Sequence, residues 1–119
     1  MRITKEYELT NENLSCLLEI CEPVCYEKGE KKTVPLRIAM GNTVLYDGDG
    51  VRVEMTVDKE ENAFLLTLVF WNLQADTRTI CPCLSLVGTA FSVENIQNGG
   101  KDVTLEEGES VTCRFMLRI

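Results

Sequence analysis

The stretch VRVEMTVD, residues 51–58, determines the fold class because every second residue in it is apolar. The apolar set is Val51, Val53, Met55 and Val57, and the set between them is Arg52, Glu54, Thr56 and Asp58. Successive side chains of a β-strand point to opposite faces of the sheet. The stretch therefore predicts a strand with one buried face and one largely solvated face.

The same alternation recurs in RITKEYEL (2–9), TVPLRIAM (33–40) and VTCRFMLRI (111–119). The side chains that we expect on the buried faces are Ile3, Tyr7 and Leu9, then Val34, Leu36, Ile38 and Met40, then Val111, Cys113, Phe115, Leu117 and Ile119. Four strands that are each buried on one side are typical of antiparallel sheets.

The stretch AFLLTLVFWNL, residues 63–73, is apolar at nearly every position between Phe64 and Trp71. Continuous apolar β-formers predict a central strand that is covered on both faces. We expect residues 77–87 to pair with it as a hairpin after the polar turn NLQADTR. The predicted core residues are Val53, Leu66, Leu68, Phe70, Leu84 and Phe115.

Turn signals separate these segments. YDGDG (46–50) contains Asp-Gly twice and predicts a tight hairpin, and ENIQNGGKD (94–102) carries Asn-Gly-Gly, which is typical of a loop. The polar stretches 58–62 and 105–110 predict two further turns. About eight short strands with frequent turns indicate an antiparallel β-sandwich or barrel.

Residues 10–25, TNENLSCLLEICEPVC, fit two structures. Leu14, Leu17, Leu18 and Cys21 match a helical face, whereas Leu14, Cys16, Leu18 and Ile20 match a strand. Pro23 ends either element. The surrounding strands favour the strand.

The second half of the chain resembles immunoglobulin-like β-sandwich domains. The resemblance covers residues 63–119 and lies in LLTLVFWNLQADTRTICPCLSL and KDVTLEEGESVTCRFMLRI. The C-terminal barrels of transglutaminases are similar in this respect. The resemblance implies an immunoglobulin-like sandwich with a binding or structural role, but the chain lacks the Cys…Trp…Cys framework of antibody domains and any transglutaminase catalytic core.

Composition narrows the class of protein. The chain has 119 residues, a net charge of −7 and 45% apolar residues, which predicts one globular domain over 1–119. The acidic balance argues against nucleic-acid binding, because phosphate contacts require an excess of Lys and Arg. No apolar run is long enough to span a bilayer, and MRITKEYELT has no secretory h-region. We therefore expect a complete, soluble, cytoplasmic chain.

The chain has six cysteines and no histidine. The absence of histidine removes Ser-His and Cys-His nucleophile pairs, mixed Cys/His zinc sites and the usual acid–base group at neutral pH. The acidic runs at 58–61 and 106–109 are expected to be solvated turns, and Asp47-Gly-Asp49-Gly50 lacks the downstream ligands of a calcium loop. The sequence thus predicts no catalytic residues and no cofactor.

Cys81 and Cys83 flank Pro82 in a predicted strand, so both should point to one face. Their Cα atoms would lie ~6.6 Å apart, at the limit of disulfide reach. Buried free cysteines behave as small apolar residues, which is our main interpretation. The alternatives are a thiolate metal site that also uses Cys113 and a thiol from the Cys16, Cys21 and Cys25 group, or redox chemistry.

Together these features predict a non-catalytic module that binds a protein partner or serves a structural role. Two alternatives stay open: a metal-binding domain that uses cysteines alone, and a small acidic inhibitor of the phage anti-defence type that occupies a basic groove on its partner.

Overall fold

A computed structural model describes residues 2–11, 14–60, 63–87 and 91–118, and these residues form antiparallel β-sheets without helix. The described strands are β1 (Ile3–Asn11), β2 (Leu14–Cys21), β3 (Val24–Glu27), β4 (Glu30–Thr33), β5 (Leu36–Met40), β6 (Thr43–Gly48), β7 (Val51–Glu60), β8 (Ala63–Asn72), β9 (Arg78–Cys83), β10 (Leu86–Val87), β11 (Ser92–Gln97), β12 (Val103–Leu105) and β13 (Ser110–Arg118). The all-β class predicted from the alternating segments is confirmed.

Six strands form the largest sheet, in the order β11-β13-β8-β7-β6-β5. Two smaller sheets have the orders β1-β2-β10 and β12-β9-β3-β4. Two segments of the chain pass from one small sheet into the other. Strand β2 leads into β3 across Pro23, and β9 leads into β10 across Leu84 and Ser85. One buried cluster contains residues of all three sheets, among them Leu18, Ile80 and Phe70. This arrangement is consistent with a β-sandwich.

Strand number differs from the expectation of about eight, because the described residues contain thirteen strands. Some segments that were predicted as one strand are divided into two, at points where the backbone hydrogen bonds between neighbouring strands are interrupted. Pro23 separates β2 from β3, and Pro35 separates β4 from β5. Proline lacks the N–H group that a ladder requires, so such breaks follow from the chemistry of the chain.

Strand β7 confirms the alternation of residues 51–58, since Val51, Val53, Met55 and Val57 are all buried. Its hairpin with β6 is also confirmed. Asp49 and Gly50 make that turn with φ values of 57° and 74°. A two-residue turn with positive φ at both positions matches the right-handed twist of the flanking strands.

Strand β8 is central, as predicted, but the expectation that both of its faces are covered is wrong. Phe64, Leu66, Leu68 and Phe70 are buried on the inner face, whereas the outer residues from Leu65 to Trp71 are only half-buried. Arg52 lies beside Trp71, and the next outward residue of β7 is Glu54. The outward residues of β8 thus have long polar side chains as neighbours in the ladder and remain half-buried.

Residues 77–87 do not form a hairpin with β8, so that prediction is wrong. Strand β9 pairs with β3 and β12 in another sheet. The buried side chain of Asn72 fixes the crossing, because its Nδ2 donates to the carbonyl oxygens of Asp76 at 2.9 Å and Leu105 at 3.0 Å. Leu84, which was predicted to lie in the core, is only half-buried at the edge of the core cluster. The other five predicted core residues are buried.

Strand β5 departs from the predicted phase of residues 33–40. A register shift between Leu36 and Ile38 reverses the face that later residues present. Ile38 and Met40, expected to be buried, are 45% and 65% exposed. A similar shift between Ile3 and Lys5 accompanies the exposure of Ile3. One extra residue in a strand turns every later side chain to the other face.

The remaining expectations divide between strand and loop. Residues 14–21 and 24–25 are strand, which confirms the favoured structure for most of 10–25; residues 12–13 and the side chains of 9–16 lie outside the described parts. The predicted loop at 94–102 is wrong in its first part, because β11 continues to Gln97. Gly108, with φ of 79°, makes the predicted turn before β13.

Candidate functional site

A groove of about 800 Å³ lies on the outer face of the six-stranded sheet, at its β5 edge. Its lining is contributed by β5, β6, β7 and the end of β8, namely Arg37, Ile38, Leu45, Tyr46, Arg52, Glu54, Trp71 and Leu73. The lining combines two aromatic residues, three aliphatic side chains, one carboxylate and two guanidinium groups.

One carboxylate holds both guanidinium groups of the groove. Arg37 Nη1 and Arg52 Nη2 each lie 3.3 Å from Asp47 Oδ2. The side chains of Arg37 and Arg52 are 60% and 42% exposed. Each guanidinium carries five N–H donors, and within the described chain its hydrogen bonds are those to Asp47. Both arginines therefore keep donors for an external acceptor.

The apolar part of the groove is exposed because of the β5 register shift. Ile38 is 45% exposed and Leu73 is 42% exposed, and the half-buried Trp71 lies across the ladder from Arg52. Sequence reasoning missed this surface because it placed Ile38 and Met40 in the core. No pattern in TVPLRIAM reveals the extra residue that moves them outward.

A second cluster of charges lies at the β3–β4 hairpin. Arg78 donates from Nε and Nη2 to the two carboxylate oxygens of Glu27, at 2.9 and 2.8 Å, and from Nη1 to the carbonyl oxygen of Asp49 at 2.8 Å. Lys32 Nζ lies 2.9 Å from Glu27 Oε1. The Arg78–Glu27 ion pair is bidentate. Because Arg78 is only 6% exposed, the pair is also largely shielded from water. All three side-chain nitrogens of Arg78 already donate hydrogen bonds within the protein. We therefore interpret this cluster as structural.

The Glu27 carboxylate predicts a specific loss of stability in acid. Hydrogen bonding from Arg78, with help from Lys32, lowers the pKa of Glu27 from 4.5 to about 2. A carboxyl group with a lowered folded-state pKa stabilises the fold above its unfolded pKa and loses that contribution as pH falls towards its folded pKa. Urea unfolding between about pH 5 and pH 2 should show this loss. A Glu27→Gln variant should show a smaller loss across that window, and equal losses would contradict the assignment.

Five cysteines whose side chains are described carry free thiols: Cys21, Cys25, Cys81, Cys83 and Cys113. Cys113 and Cys25 are buried, while Cys81 and Cys83 are half-buried. Burial, followed by the neighbouring Cys83 and Cys81, raises the pKa of Cys113 to about 12. Burial and then Cys81 raise the pKa of Cys83 to about 11. Low thiolate content at neutral pH argues against Cys83 or Cys113 as a nucleophile.

Thiol counting tests the expectation of a reduced chain. Titration of the protein under denaturing, non-reducing conditions should find all six cysteines reactive. Cys81 and Cys83 should react before the buried thiols when the folded protein is titrated, because reactivity requires access. A denatured count of four or fewer would show disulfides and contradict the cytoplasmic prediction.

The predicted metal candidates Cys81, Cys83 and Cys113 do not assemble into a site of three ligands. Within the described residues there is no group of three or more His, Cys, Asp or Glu side chains able to hold a metal ion. Asp47, in the sequence stretch that invites a calcium reading, instead pairs with two arginines. Asp58, Glu60 and the described acidic residues of 106–109 are exposed.

Comparisons of the chain with protein families, with curated proteins and with solved structures find no match. The described residues include no helix that is long and apolar enough to cross a membrane.

Proposed function

We propose that this chain is a non-catalytic, immunoglobulin-like β-sandwich domain that binds a protein partner through the groove around Trp71. The observation that carries the proposal is the composition of that groove. A tryptophan and two partly exposed arginines lie together on a rigid sheet face, with aliphatic side chains around them. Tryptophan and arginine are among the residues that contribute most to binding at protein interfaces.

The geometry favours a partner that offers an apolar side chain beside a carboxylate. The apolar group would cover Trp71 and Ile38, while the carboxylate would accept N–H groups that Asp47 leaves unused on Arg37 and Arg52. Strand β5 is also an edge of its sheet, and an edge strand offers unpaired backbone groups to an incoming segment. Its exposed residues Ile38 and Met40 would flank such a segment.

A Trp71→Ala variant tests the proposal. Tagged wild-type protein, the variant and a Val93→Ala control would be used to capture proteins from a lysate of the source cells. Val93 is 51% exposed on β11, the opposite edge of the same sheet. We expect one partner to be retained by the wild type and the control but lost from the variant.

Affinity measurement then tests the captured partner directly. Loss of a central interface residue typically costs 2 kcal/mol or more, which corresponds to a Kd raised by about 30-fold. Trp71 is the only tryptophan in the chain, so its emission should change when a partner without tryptophan binds. Equal Kd values for wild type and Trp71→Ala would overturn the groove as the binding surface.

The acidic-inhibitor alternative differs in its salt dependence. Binding that is driven by the net charge of −7 should weaken steeply as ionic strength rises, because salt screens exposed charges beyond about 10 Å at 0.1 M. Binding centred on Trp71, with charge contacts limited to Arg37 and Arg52, should weaken less steeply. A steep dependence that the Trp71→Ala variant shares would favour the inhibitor.

A further inference from the structure

The segment Cys81-Pro82-Cys83 places two thiols on one face of β9. Cys81 and Cys83 are both half-buried and alternate with the buried residues Ile80 and Pro82. The Cys83 sulfur donates to the backbone carbonyl oxygen of Cys81 at 3.7 Å. The pair is thus partly accessible to a small ion from solvent.

The spacing favours a bridging ion over a disulfide. Residues two apart on a strand have Cα atoms ~6.6 Å apart, with side chains that run parallel. A disulfide requires its sulfurs to approach to about 2.05 Å with the Cβ atoms near 3.8 Å, which would distort the strand. Two metal–thiolate bonds of about 2.3 Å each span about 4.6 Å between sulfurs, which a change of χ1 alone can supply.

The available ligands select the kind of ion. Zinc in a structural site takes four ligands, but the chain has no histidine and its described residues include no group of three suitable side chains. Thiolate pairs suit soft ions, of which copper(I) is the biological example. We propose that the sulfurs of Cys81 and Cys83 bind one copper(I) ion in a two-coordinate site.

Pro82 and the neighbouring strand prepare this site. The proline ring fixes φ near −65° and so restricts the backbone between the two ligands. Pro82 lies opposite Cys25 in the ladder between β9 and β3. Preorganised ligands lose less conformational entropy on binding, which strengthens the affinity. Cys25 and Cys113 are buried in the core, so they are not ligands in this proposal.

Binding must release protons, because the ligands are thiolates. The balanced step is one copper(I) ion plus two thiols, giving a bis-thiolate complex with one negative charge and two free protons. Where both ligands are thiols in the free protein, the apparent affinity should therefore rise by about 100-fold for each unit of pH. A single ligand thiol would give about 10-fold.

Competition for copper(I) provides the test. The reduced protein would be titrated without oxygen against a coloured copper(I) chelator of known affinity. We expect one copper(I) per chain and the two-proton pH dependence. Changes to residues that merely support a metal ligand cost 10- to 100-fold in affinity, so Cys81→Ser and Cys83→Ser should each cost at least about 100-fold. Cys113→Ala is the matched control and should keep the wild-type affinity.

X-ray absorption of the copper-loaded wild-type protein is independent of whether any variant folds. Two sulfur neighbours at the copper would support the proposal. Three or four sulfur neighbours, loss of binding in Cys113→Ala, or equal retention of zinc would overturn it in favour of a larger thiolate site. Failure to hold copper(I) against the chelator would also overturn it. None of these results bears on the groove around Trp71.

Discussion

Glu27→Gln should lower the free energy of unfolding by about 3–5 kcal/mol, the usual cost of breaking a buried ion pair by removing one partner. The reason is Arg78, whose guanidinium is 6% exposed and donates to both oxygens of Glu27. Glutamine has one acceptor oxygen and no charge, so a buried cation would lose its counterion. Urea unfolding at neutral pH, with the midpoint and slope fitted, measures the loss.

Two further variants make that prediction specific. Glu30→Gln lies opposite Glu27 in the same hairpin, is exposed, and should change stability by less than about 0.5 kcal/mol. Replacing both Glu27 and Arg78 by methionine should cost less than Glu27→Gln alone, because no buried charge is left unpaired. A double variant that is less stable than Glu27→Gln would contradict this prediction. It would mean that the pair contributes more to stability than the mutual neutralisation of its two charges.

The sequence predicts the strands that obey a strict period of two. Residues 51–58 alternate without interruption, and the buried residues of β7 and of the described part of 111–119 include the predicted sets; in β13 the alternation fails only at Met116, which is buried as well. In such segments the inward face depends only on local spacing. The Asp49-Gly50 hairpin is also local, because its turn residues accept positive φ.

The candidate groove could not be predicted, because it depends on events that have no local signal. A register shift in β5 exposes Ile38, and the outward residues of β8, among them Trp71, stay half-buried rather than covered. Strand pairing between distant segments is set by packing of the whole core. Likewise, Glu27 and Arg78 are 51 residues apart, so spacing alone does not bring them together.

The arrangement of the thiols could be predicted from the sequence only in part. The parallel orientation of Cys81 and Cys83 follows from the strand period and is predictable from the sequence. The position of Pro82 is informative too: β12 pairs with β9 only from Arg78 to Ile80, so the residue without an N–H group lies beyond that ladder. Cys113, the third candidate ligand from the sequence, faces the core on β13, and its role as a ligand stays a prediction.

Phe115→Ala should destabilise the protein by about 3–5 kcal/mol, the range measured when a buried phenylalanine is truncated. Phe115 is 7% exposed and belongs to the buried cluster. A Cβ atom placed on Gly99 would lie 2.3 Å from its ring, so the ring packs directly against the loop after β11. Truncation would therefore leave a cavity between β13 and that loop.

The matched control is Val93→Ala, a truncation of an exposed side chain on the adjoining strand β11. It should change the free energy of unfolding by less than about 0.5 kcal/mol. Phe115→Leu should fall between the two, because leucine refills part of the cavity. The order of midpoints in urea should be Val93→Ala, Phe115→Leu and Phe115→Ala, from highest to lowest. A Phe115→Ala loss near that of Val93→Ala would mean that β13 presents its other face to the core, and the inward position of Cys113 would then be wrong as well.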